Sequence, residues 1–454
     1  MKRKIEKMSK FLVLIGLALI MMSCSSENDA TSESEMTGAG DSTESSSENS
    51  QVEKTDTEVR ITWWGSQARH NSTIEALDKY VEKNDVNFSY EYTSWSSYWE
   101  TLATQAVGNN LPDIIQMSTT DIVNYSKNNQ IVSLQPYIDS GIIDLTYVDK
   151  NSLSAGTVEG EVTGYPTGVN TVSVVYNKEI FDQAGVDYPK DNWTWSEYLD
   201  TAKKIFEETG VQTDIPFLSE ARWLAEYVVR SYDYDFYEAD GSFGWANDER
   251  VLNGLKNAFA DIKEMVELGV FIDPEVQIAW ATTEDNYIVQ GKSAMAFLLS
   301  NYYETYSDVL GAPMGICMLP KPDDADKSGM YMNANMYWSI SADCEDPETA
   351  ASILNYMVND MEAMETILAD RGISLSSEIR EGLTEVVGEY TANTFDYISS
   401  VSEIVEKTNA PDPANAAEAI NVLKVNYQAL MYGEMDAEEA IDDFVVQATD
   451  ILGQ

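Results

Sequence analysis

Residues 164–178 read GYPTGVNTVSVVYNK. Valine, threonine and tyrosine favour strands, and no helical pattern interrupts them, so the run that begins at Tyr165-Pro166 predicts one long extended segment. The chain before it, from Glu58 onward, alternates short apolar runs with helical patterns, which is typical of parallel βαβ units. A strand of this kind is suited to carry the chain from one α/β lobe into another.

Three strands separated by helices are predicted upstream of this run. They are Val59–Trp64, Val86–Tyr92 and Asp113–Met117. The first strand breaks at Gly65-Ser66, and the capping-box pair Ser72 and Glu75 predicts that the next helix opens at Ser72. Trp95–Val107 predicts the second helix. This order predicts an open, doubly wound sheet flanked by helices.

Several local signals mark elements downstream. Thr194 and Glu197 form a capping box for a helix that Gly210 ends. Tyr237–Phe243 contains Asp-Gly and predicts a hairpin. Asp346-Pro347 opens a helix with proline at its first position, and Asp436 with Glu439 opens the last helix.

The N-terminus predicts export and anchoring. A basic start and the apolar run Phe11–Met22 end at Ser23-Cys24, and a Ser/Glu/Asp-rich stretch follows. The small residue before a cysteine resembles the bacterial lipobox, so we predict a signal peptide over 1–23, a lipidated Cys24, and a disordered tether over 24–57. The alternative is an ordinary secreted protein in which Cys24 lies near the cleavage site by chance. Either way the expected location is outside the cell, and the lipoprotein interpretation places it on the outer face of the cell membrane.

The charge balance restricts the partners. With 77 acidic and 28 basic residues, the formal net charge of -49 disfavours nucleic acid and anionic lipid. No other stretch is apolar and long enough to span a bilayer, so membrane contact is expected through the lipid alone. Cys317 lies in an apolar run and is expected to be buried as a free thiol; a disulfide with Cys344 is the alternative.

The residue inventory argues against catalysis and against a metal or cofactor. The single histidine, His70, cannot build a histidine metal cluster or a nucleophile–histidine system, and beside a helix start it is expected at the surface. Gln290–Ser293 only partly matches a phosphate-binding loop, because Asn286 stands where a glycine is needed. In so acidic a chain no carboxylate pair identifies itself as a glycosidase pair. We therefore predict no catalytic residues, no metal and no cofactor.

Aromatic residues indicate a binding function. The chain has 10 Trp and 26 Tyr, many in predicted loops at the carboxyl ends of strands, where open α/β sheets bind ligands. An indole can stack on the apolar C–H face of a sugar ring, so these loops suit carbohydrate capture. Trp63 and Trp99 are expected in the core. The candidates for ligand contact are Trp64, Trp95, Trp223, Trp245, Trp280, Tyr302, Tyr337 and Trp338.

Ordered sequence blocks carry a resemblance to a known family. They are Leu111–Ile115, Gly164–Lys178 with Phe181 and Ala184–Val186, Trp193–Trp195, Gly291–Met295 and Leu319-Pro320. Together these blocks resemble the extracellular solute-binding proteins of ABC importers, in the group that includes maltose-binding protein. The resemblance implies a type II periplasmic-binding-protein-like fold. In this fold a two-lobed clamshell is joined by hinge crossovers, and each lobe is a doubly wound, mostly parallel sheet flanked by helices.

The resemblance also implies lobe boundaries. The chain would change lobe near Asn170–Val172, Asn335–Tyr337 and Asp370–Ser374. The first lobe would comprise 58–170 and about 337–370, and the second 171–336 and about 371–454.

Further ligand positions follow from the same resemblance. Arg371 is expected to bind ligand hydroxyls, with a structural ion pair as the alternative. The other positions are Gly65, Ser66, Ser118, Thr119, Asn170, Ser300, Asn301 and Asn335.

The function implied is capture of a mono- or oligosaccharide by domain closure and delivery to the membrane permease of an importer, by a monomer that is not an enzyme. Three alternatives stay open: the same fold binding a peptide or polyamine, a secreted glycosidase, and a sensory partner of a membrane kinase.

Overall fold

The computed structural model describes residues 57–119, 121–148, 150–238, 240–325, 327–405, 412–413 and 415–453. The predicted signal peptide, Cys24 and the tether up to Asp56 therefore lie outside the described residues. The described residues belong to one compact unit. None of their helices combines the length and the apolar character that crossing a membrane requires.

Strands and helices alternate along most of the described chain. The strands are β1 (Thr57–Trp64), β2 (Val86–Thr93), β3 (Ile114–Ser118), β4 (Thr157–Val158), β5 (Glu161–Val162), β6 (Tyr165–Pro166), β7 (Asn170–Asn177), β8 (Met295–Leu299), β9 (Met314–Cys317), β10 (Met332–Asn333) and β11 (Met336–Ile340). The helices of the first half are α1 (Gln67–Val81), α2 (Trp95–Val107), α3 (Ile122–Lys127), α4 (Gln135–Asp139), α5 (Lys178–Ala184), α6 (Trp195–Thr209) and α7 (Ala221–Ser231). Those of the second half are α8 (Glu249–Glu267), α9 (Pro274–Ile278), α10 (Tyr303–Leu310), α11 (Pro347–Asn359), α12 (Met361–Ile367), α13 (Ser377–Leu383), α14 (Glu389–Ser402), α15 (Ala416–Met431) and α16 (Ala437–Leu452). Short 3-10 helices cover Lys150–Gly156, Thr283–Asp285 and Ser300–Tyr302.

The first lobe is built on a five-stranded sheet with the order β2-β1-β3-β11-β6. β1 is parallel to β2 and β3, as the βαβ pattern predicts, and β11 enters antiparallel to β3. Val59, Ile61 and Trp63 alternate along β1 and are buried in one core with Leu77 of α1. α1, α11 and α12 pack together beside this sheet, and α2 packs on β1 and β2.

The second lobe is built around β7. Its N-terminal end pairs with β10, and the rest pairs with β8 and β9, all antiparallel. Parallel contacts occur as single bridges, Gln212 with Ser293 and Thr213 with Phe271. This lobe is therefore less parallel than predicted, because β7 runs away from the first lobe while β8 and β10 run toward it. α7, α8, α15 and α16 pack against one another in this lobe, and α14 packs on α10 and β9.

Three chain crossings lie side by side between the lobes. The backbone N–H of Val169 donates to Ile373 O at 2.8 Å, and the backbone N–H of Ile373 donates to Val169 O at 3.0 Å, while Thr167 N donates to Met336 O at 3.0 Å. Gly168 sits so close to the third crossing that an added Cβ would lie 2.6 Å from the Gly372 carbonyl carbon, and Gly372 has φ +101. Glycine at both positions lets two backbones touch here.

Several predicted helix boundaries are confirmed. The Thr194 and Glu197 capping box opens α6, and Gly210 ends it in the left-handed conformation at φ 73. Pro347 begins α11, and Asp436 caps α16 through Glu439 N. In each case the cap is made within one turn, so adjacent sequence contains the whole signal.

Other local predictions were wrong. α1 begins at Gln67 rather than Ser72, because Ser66 accepts a hydrogen bond from Arg69 N and caps the helix upstream of Ser72. At Tyr237–Phe243 the described residues form a turn without flanking strands; Glu238 N donates to Ser242 O at 2.8 Å. His70 is buried rather than exposed, and its Nδ1 accepts a hydrogen bond from Trp63 Nε1 at 3.1 Å. Cys317 is buried as predicted, and both it and Cys344 are free thiols.

A buried carboxyl group lies in the second lobe. Asp214 is 4% exposed, and its Oδ1 has no hydrogen-bond partner among the described atoms. Burial raises its pKa from 3.8 to about 7, and a hydrogen bond with Ser293 offsets this only partly. Burial chiefly raises the pKa values of Tyr198 and Tyr306, and the charge of Asp214 contributes to both shifts. Asp214 is therefore held as the neutral acid through much of the acidic range.

We predict that Asp214→Asn changes how stability depends on pH. Because the folded pKa exceeds the unfolded one, the natural protein binds more protons when folded. The free energy of unfolding should therefore fall by up to about 1.4 kcal/mol per pH unit between about pH 4 and 7 through this group alone. The amide cannot ionise, so the variant should lose this contribution and gain stability relative to the natural protein as pH rises. Urea unfolding at pH 4.5 and 7.5 tests this; a stability difference that is the same at both pH values would contradict it.

Candidate functional site

A cavity of about 330 Å³ lies where the lobes face each other. The first lobe contributes Trp95, which follows β2, and Ser118 and Thr119 at the end of β3. The second lobe contributes Trp223 of α7 and Leu299 at the end of β8. We call it the tryptophan cavity. Carboxyl ends of strands meet here, the position at which α/β sheets bind ligands.

The first-lobe wall rests on clustered indole rings. Trp95 is 50% exposed, and its ring centroid lies 4.9 Å from that of the buried Trp64 and 5.4 Å from that of Trp99. Tyr98, fully buried, completes the cluster against Trp64. The ring of Trp95 is therefore supported from behind, so it presents a firm apolar surface at the cavity.

The second-lobe wall combines an indole with an ionic network. The half-buried Trp223 packs edge-on against Phe217 at 5.4 Å. Beside it, Arg222 forms a bidentate pair with Asp412, with both N···O distances at 2.6 Å. Arg222 Nε also donates to Glu226 at 3.3 Å.

The ionic network extends beyond the cavity. The other oxygen of Glu226 lies 3.5 Å from Arg230 Nε, and Arg230 Nη1 lies 3.5 Å from Asp235. Glu226 is 2% exposed, so the network is anchored inside the lobe. Nearby carboxylates thus neutralise both guanidinium groups.

The floor of the cavity is the second crossing. Asn333, Ala334 and Asn335 line it, and Thr119 Oγ1 donates to Ala334 O at 3.3 Å across the lobes. Tyr337 also donates to Ala334 O, and its ring is buried beneath the cavity. Amide and hydroxyl groups therefore line the floor next to the two indoles.

Asn170, at the start of β7, carries an unused acceptor. Its Oδ1 is buried and has no hydrogen-bond partner among the described atoms. The residue pairs through its backbone with Asn333, and the next amide, Thr171 N, donates to Ser300 Oγ at 3.1 Å. A buried carbonyl oxygen without a donor is costly, so this oxygen is suited to accept a hydrogen bond from a ligand.

A second cavity, of about 520 Å³, lies beside the third crossing. Ser72 of α1 lines it from the first lobe, Ser300, Asn301 and Glu304 from the second, and Asp370 from the crossing. We call it the serine cavity. Asp370 accepts a hydrogen bond from Arg69 Nε at 2.8 Å, so its charge is already paired.

Some predicted site residues lie elsewhere. Trp245 is fully buried against Phe243 and Phe444, so no ring face is open to a ligand, and the prediction for it was wrong. Trp338 is 1% exposed under the guanidinium of Arg371, which corrects its prediction for the same reason.

Of the other predicted positions, Trp280, Tyr302, Gly65 and Ser66 line neither cavity, whereas Ser118 lines the tryptophan cavity. Trp280 is half-buried beside Tyr287, and Tyr302 is 43% exposed beside Tyr306; neither lines a cavity described above. Gly65 precedes Ser66, whose hydroxyl already accepts the capping hydrogen bond of α1. Ser118 Oγ donates to Asp121 at 2.6 Å.

Arg371 serves the first lobe rather than the cleft. It is 3% exposed, with Nε donating to Gln116 Oε1 at 3.2 Å and Nη2 to Thr73 Oγ1 at 2.8 Å. Burial, and then the nearby Arg69, lower its pKa to about 9. The predicted contact with ligand hydroxyls was therefore wrong; the guanidinium fastens the third crossing to β3 and α1.

Sequence reasoning missed four charged or polar residues of the tryptophan cavity: Arg222, Glu226, Asn333 and Asp412. Arg222 and Glu226 are four residues apart, a spacing that on its own indicates an ordinary surface pair on a helix. Asp412 is 190 residues from its partner Arg222. Among the described residues, no group of three or more His, Cys, Asp or Glu side chains could hold a metal ion.

Comparison with known proteins gives relatives by sequence. An arabinooligosaccharide-binding protein of Halalkalibacterium halodurans is 24% identical over 233 residues, which are 50% of this chain and 49% of that protein. The match thus spans about half the length of that relative. A galactooligosaccharide-binding protein of Bacillus subtilis is 21% identical over 357 residues, covering 78% of this chain and 77% of that protein.

A solved structure has the same fold. The family 1 extracellular solute-binding protein from Alicyclobacillus acidocaldarius superposes with a TM-score of 0.77 at 21% identity, over 88% of this chain and 99% of that chain. This likeness confirms the predicted two-lobed, type II periplasmic-binding-protein-like fold. The sequence profile of the bacterial extracellular solute-binding proteins matches residues 75–377, and the chain belongs to that family.

Proposed function

We propose that this protein captures an oligosaccharide between its two lobes and passes it to the permease subunits of an ABC importer, without turnover. The observation that carries the proposal is the tryptophan cavity, to which one lobe contributes Trp95 and the other Trp223. Indole rings pack on the C–H faces of sugars, and adjacent hydroxyl and amide groups serve the sugar hydroxyls. The relatives named for arabino- and galactooligosaccharides support this ligand class.

The two cavities favour more than one sugar unit. Their volumes, about 330 and 520 Å³, are each typical of a small-molecule site, and both are bounded by the chain crossings. Asn170 pairs through its backbone with Asn333 of the first cavity, and the next residue, Thr171, bonds Ser300 of the second. An oligosaccharide extending past Asn170 would give its orphan oxygen a hydroxyl donor.

Ligand capture would act through lobe closure. A ligand that contacts both lobes stabilises the closed arrangement by its extra contacts there, whereas one that contacts a single lobe does not. Trp95 and Trp223 come from different lobes, so stacking on both requires that the lobes approach. The permease would recognise the closed form.

The proposal is tested by titrating the purified full-length chain with neutral arabino- and galactooligosaccharides, a peptide mixture and spermidine. Intrinsic tryptophan fluorescence and calorimetry would detect binding. Saturable binding of a saccharide, with affinity rising from one to several sugar units, is expected. Binding of spermidine or peptide alone would contradict it, and so would hydrolysis of the saccharide during the titration.

We expect Trp223→Ala to weaken saccharide binding by about 1–3 kcal/mol, since the stacking surface of the second lobe is removed. Trp280→Ala is the matched control, because Trp280 is half-buried in the same lobe but lines neither cavity. Calorimetry on both variants measures the difference. Equal affinities for the two variants would remove Trp223 from the site.

The anchor is proposed from the sequence, since Cys24 lies outside the described residues. A cleaved and lipidated Cys24 would hold a monomer at the outer membrane face, with the acidic tether as spacer. We expect Cys24→Ser to release the protein into the culture medium, which fractionation and immunoblotting would measure. Unchanged membrane association of the variant would show that the lipid is not the anchor.

A further inference from the structure

The ionic network leaves the tryptophan cavity with an excess of negative charge. Of the described residues that line it, Arg222 is the only cation, while Glu226 and Asp412 are both carboxylates. The lining therefore carries one positive and two negative groups. Glu304 and Asp370 add acidic groups to the serine cavity, where Asp370 is paired with Arg69.

The geometry of Arg222 determines which donors remain. A guanidinium has five N–H groups. Asp412 accepts one hydrogen bond from each Nη, both at 2.6 Å. Glu226 accepts the hydrogen bond from Nε at 3.3 Å. One N–H on each Nη is left over, enough for neutral hydroxyl or ring oxygens. The bidentate edge that a carboxylate ligand would need is already occupied by Asp412.

We propose that Asp412 is a specificity residue that makes this site select neutral oligosaccharides and reject those that carry uronic acids. The inference rests on the proposed saccharide function and adds the charge class of the ligand. Asp412 already pairs with both Nη atoms of Arg222. An incoming sugar carboxylate therefore meets a cavity with net negative charge and no pair of guanidinium nitrogens available to bind it. A neutral sugar meets no such repulsion, since its hydroxyl oxygens accept hydrogen bonds from the remaining N–H groups.

Removing the negative charge of Asp412 should weaken or abolish the selection. In Asp412→Asn the lining becomes neutral overall and the paired Nη edge of Arg222 is released, which recreates a receptor for a carboxylate. Glu226 still orients the guanidinium through Nε. The variant should therefore gain affinity for an acidic disaccharide relative to a neutral one.

The test compares galactobiose with digalacturonate by calorimetry on the full-length chain. The natural protein should bind galactobiose at least about 10-fold more tightly, and Asp412→Asn should shrink that ratio by about 10-fold or more. Asp412→Glu, which restores the ion pair, should keep the natural ratio. Asp308→Asn makes the same charge change on exposed α10 outside both cavities and should leave the ratio unaltered.

Salt gives a readout that a purely structural role of Asp412 would not move. Raising the salt concentration screens repulsion in the natural protein, so its affinity for digalacturonate should rise. In Asp412→Asn the lining is neutral overall, so the rise in affinity for digalacturonate with salt should be smaller than in the natural protein. Circular dichroism and melting temperature confirm that each variant is folded.

Two results would overturn this inference without affecting the proposed function. One is equal affinity of the natural protein for the two disaccharides. The other is an affinity ratio in folded Asp412→Asn within about threefold of the natural ratio. If neither these nor longer neutral or acidic oligosaccharides bind the natural protein, the proposed function itself fails. The two failures are therefore distinguishable.

Discussion

Backbone hydrogen bonds between the three chain crossings determine how the rest of this molecule is arranged. Thr167 bonds Met336, and Val169 and Ile373 exchange two bonds at 2.8 and 3.0 Å. Asn170 then continues the same strip by pairing with Asn333. Both sheets lead into this strip, so it fixes which loops of one lobe can face which loops of the other. The tryptophan cavity exists because these bonds bring the ends of β3 and β8 together.

The crossings are fastened unequally to the two lobes. Arg371 and Arg69 tie the third crossing to α1 and β3 of the first lobe. On the other side, Ser300 holds Thr171 at the start of β7. Rotation between lobes must then be absorbed by short backbone stretches, such as the one around Gly372. Buried side chains on either side would move as rigid parts, which is the behaviour of a hinge rather than of a sliding interface.

Much of the fold could be predicted from sequence, because its signals are short-range. The Thr194 and Glu197 cap, the Pro347 start and the β-rich run into β7 each lie within a few residues. The predicted start of α1 was wrong because two nearby serines, Ser66 and Ser72, can both cap a helix, and only packing decides between them. Trp223 and Trp245 were both predicted as ligand contacts, yet one borders a cavity and the other is fully buried. Nothing local separates them, because the outcome depends on where α7 and α16 pack.

The two thiols of the folded lobes have a practical consequence. Cys317 is buried, and burial raises its pKa well above normal; Cys344 is half-buried, and burial chiefly raises its pKa to about 12. Neither therefore offers much thiolate at neutral pH, and thiolate is the form that reacts with alkylating dyes. A single cysteine introduced at the exposed rim position Asn301 would outcompete both for such a dye. The natural scaffold is thus already suited to become an optical sensor for its own ligand, without prior removal of these two cysteines.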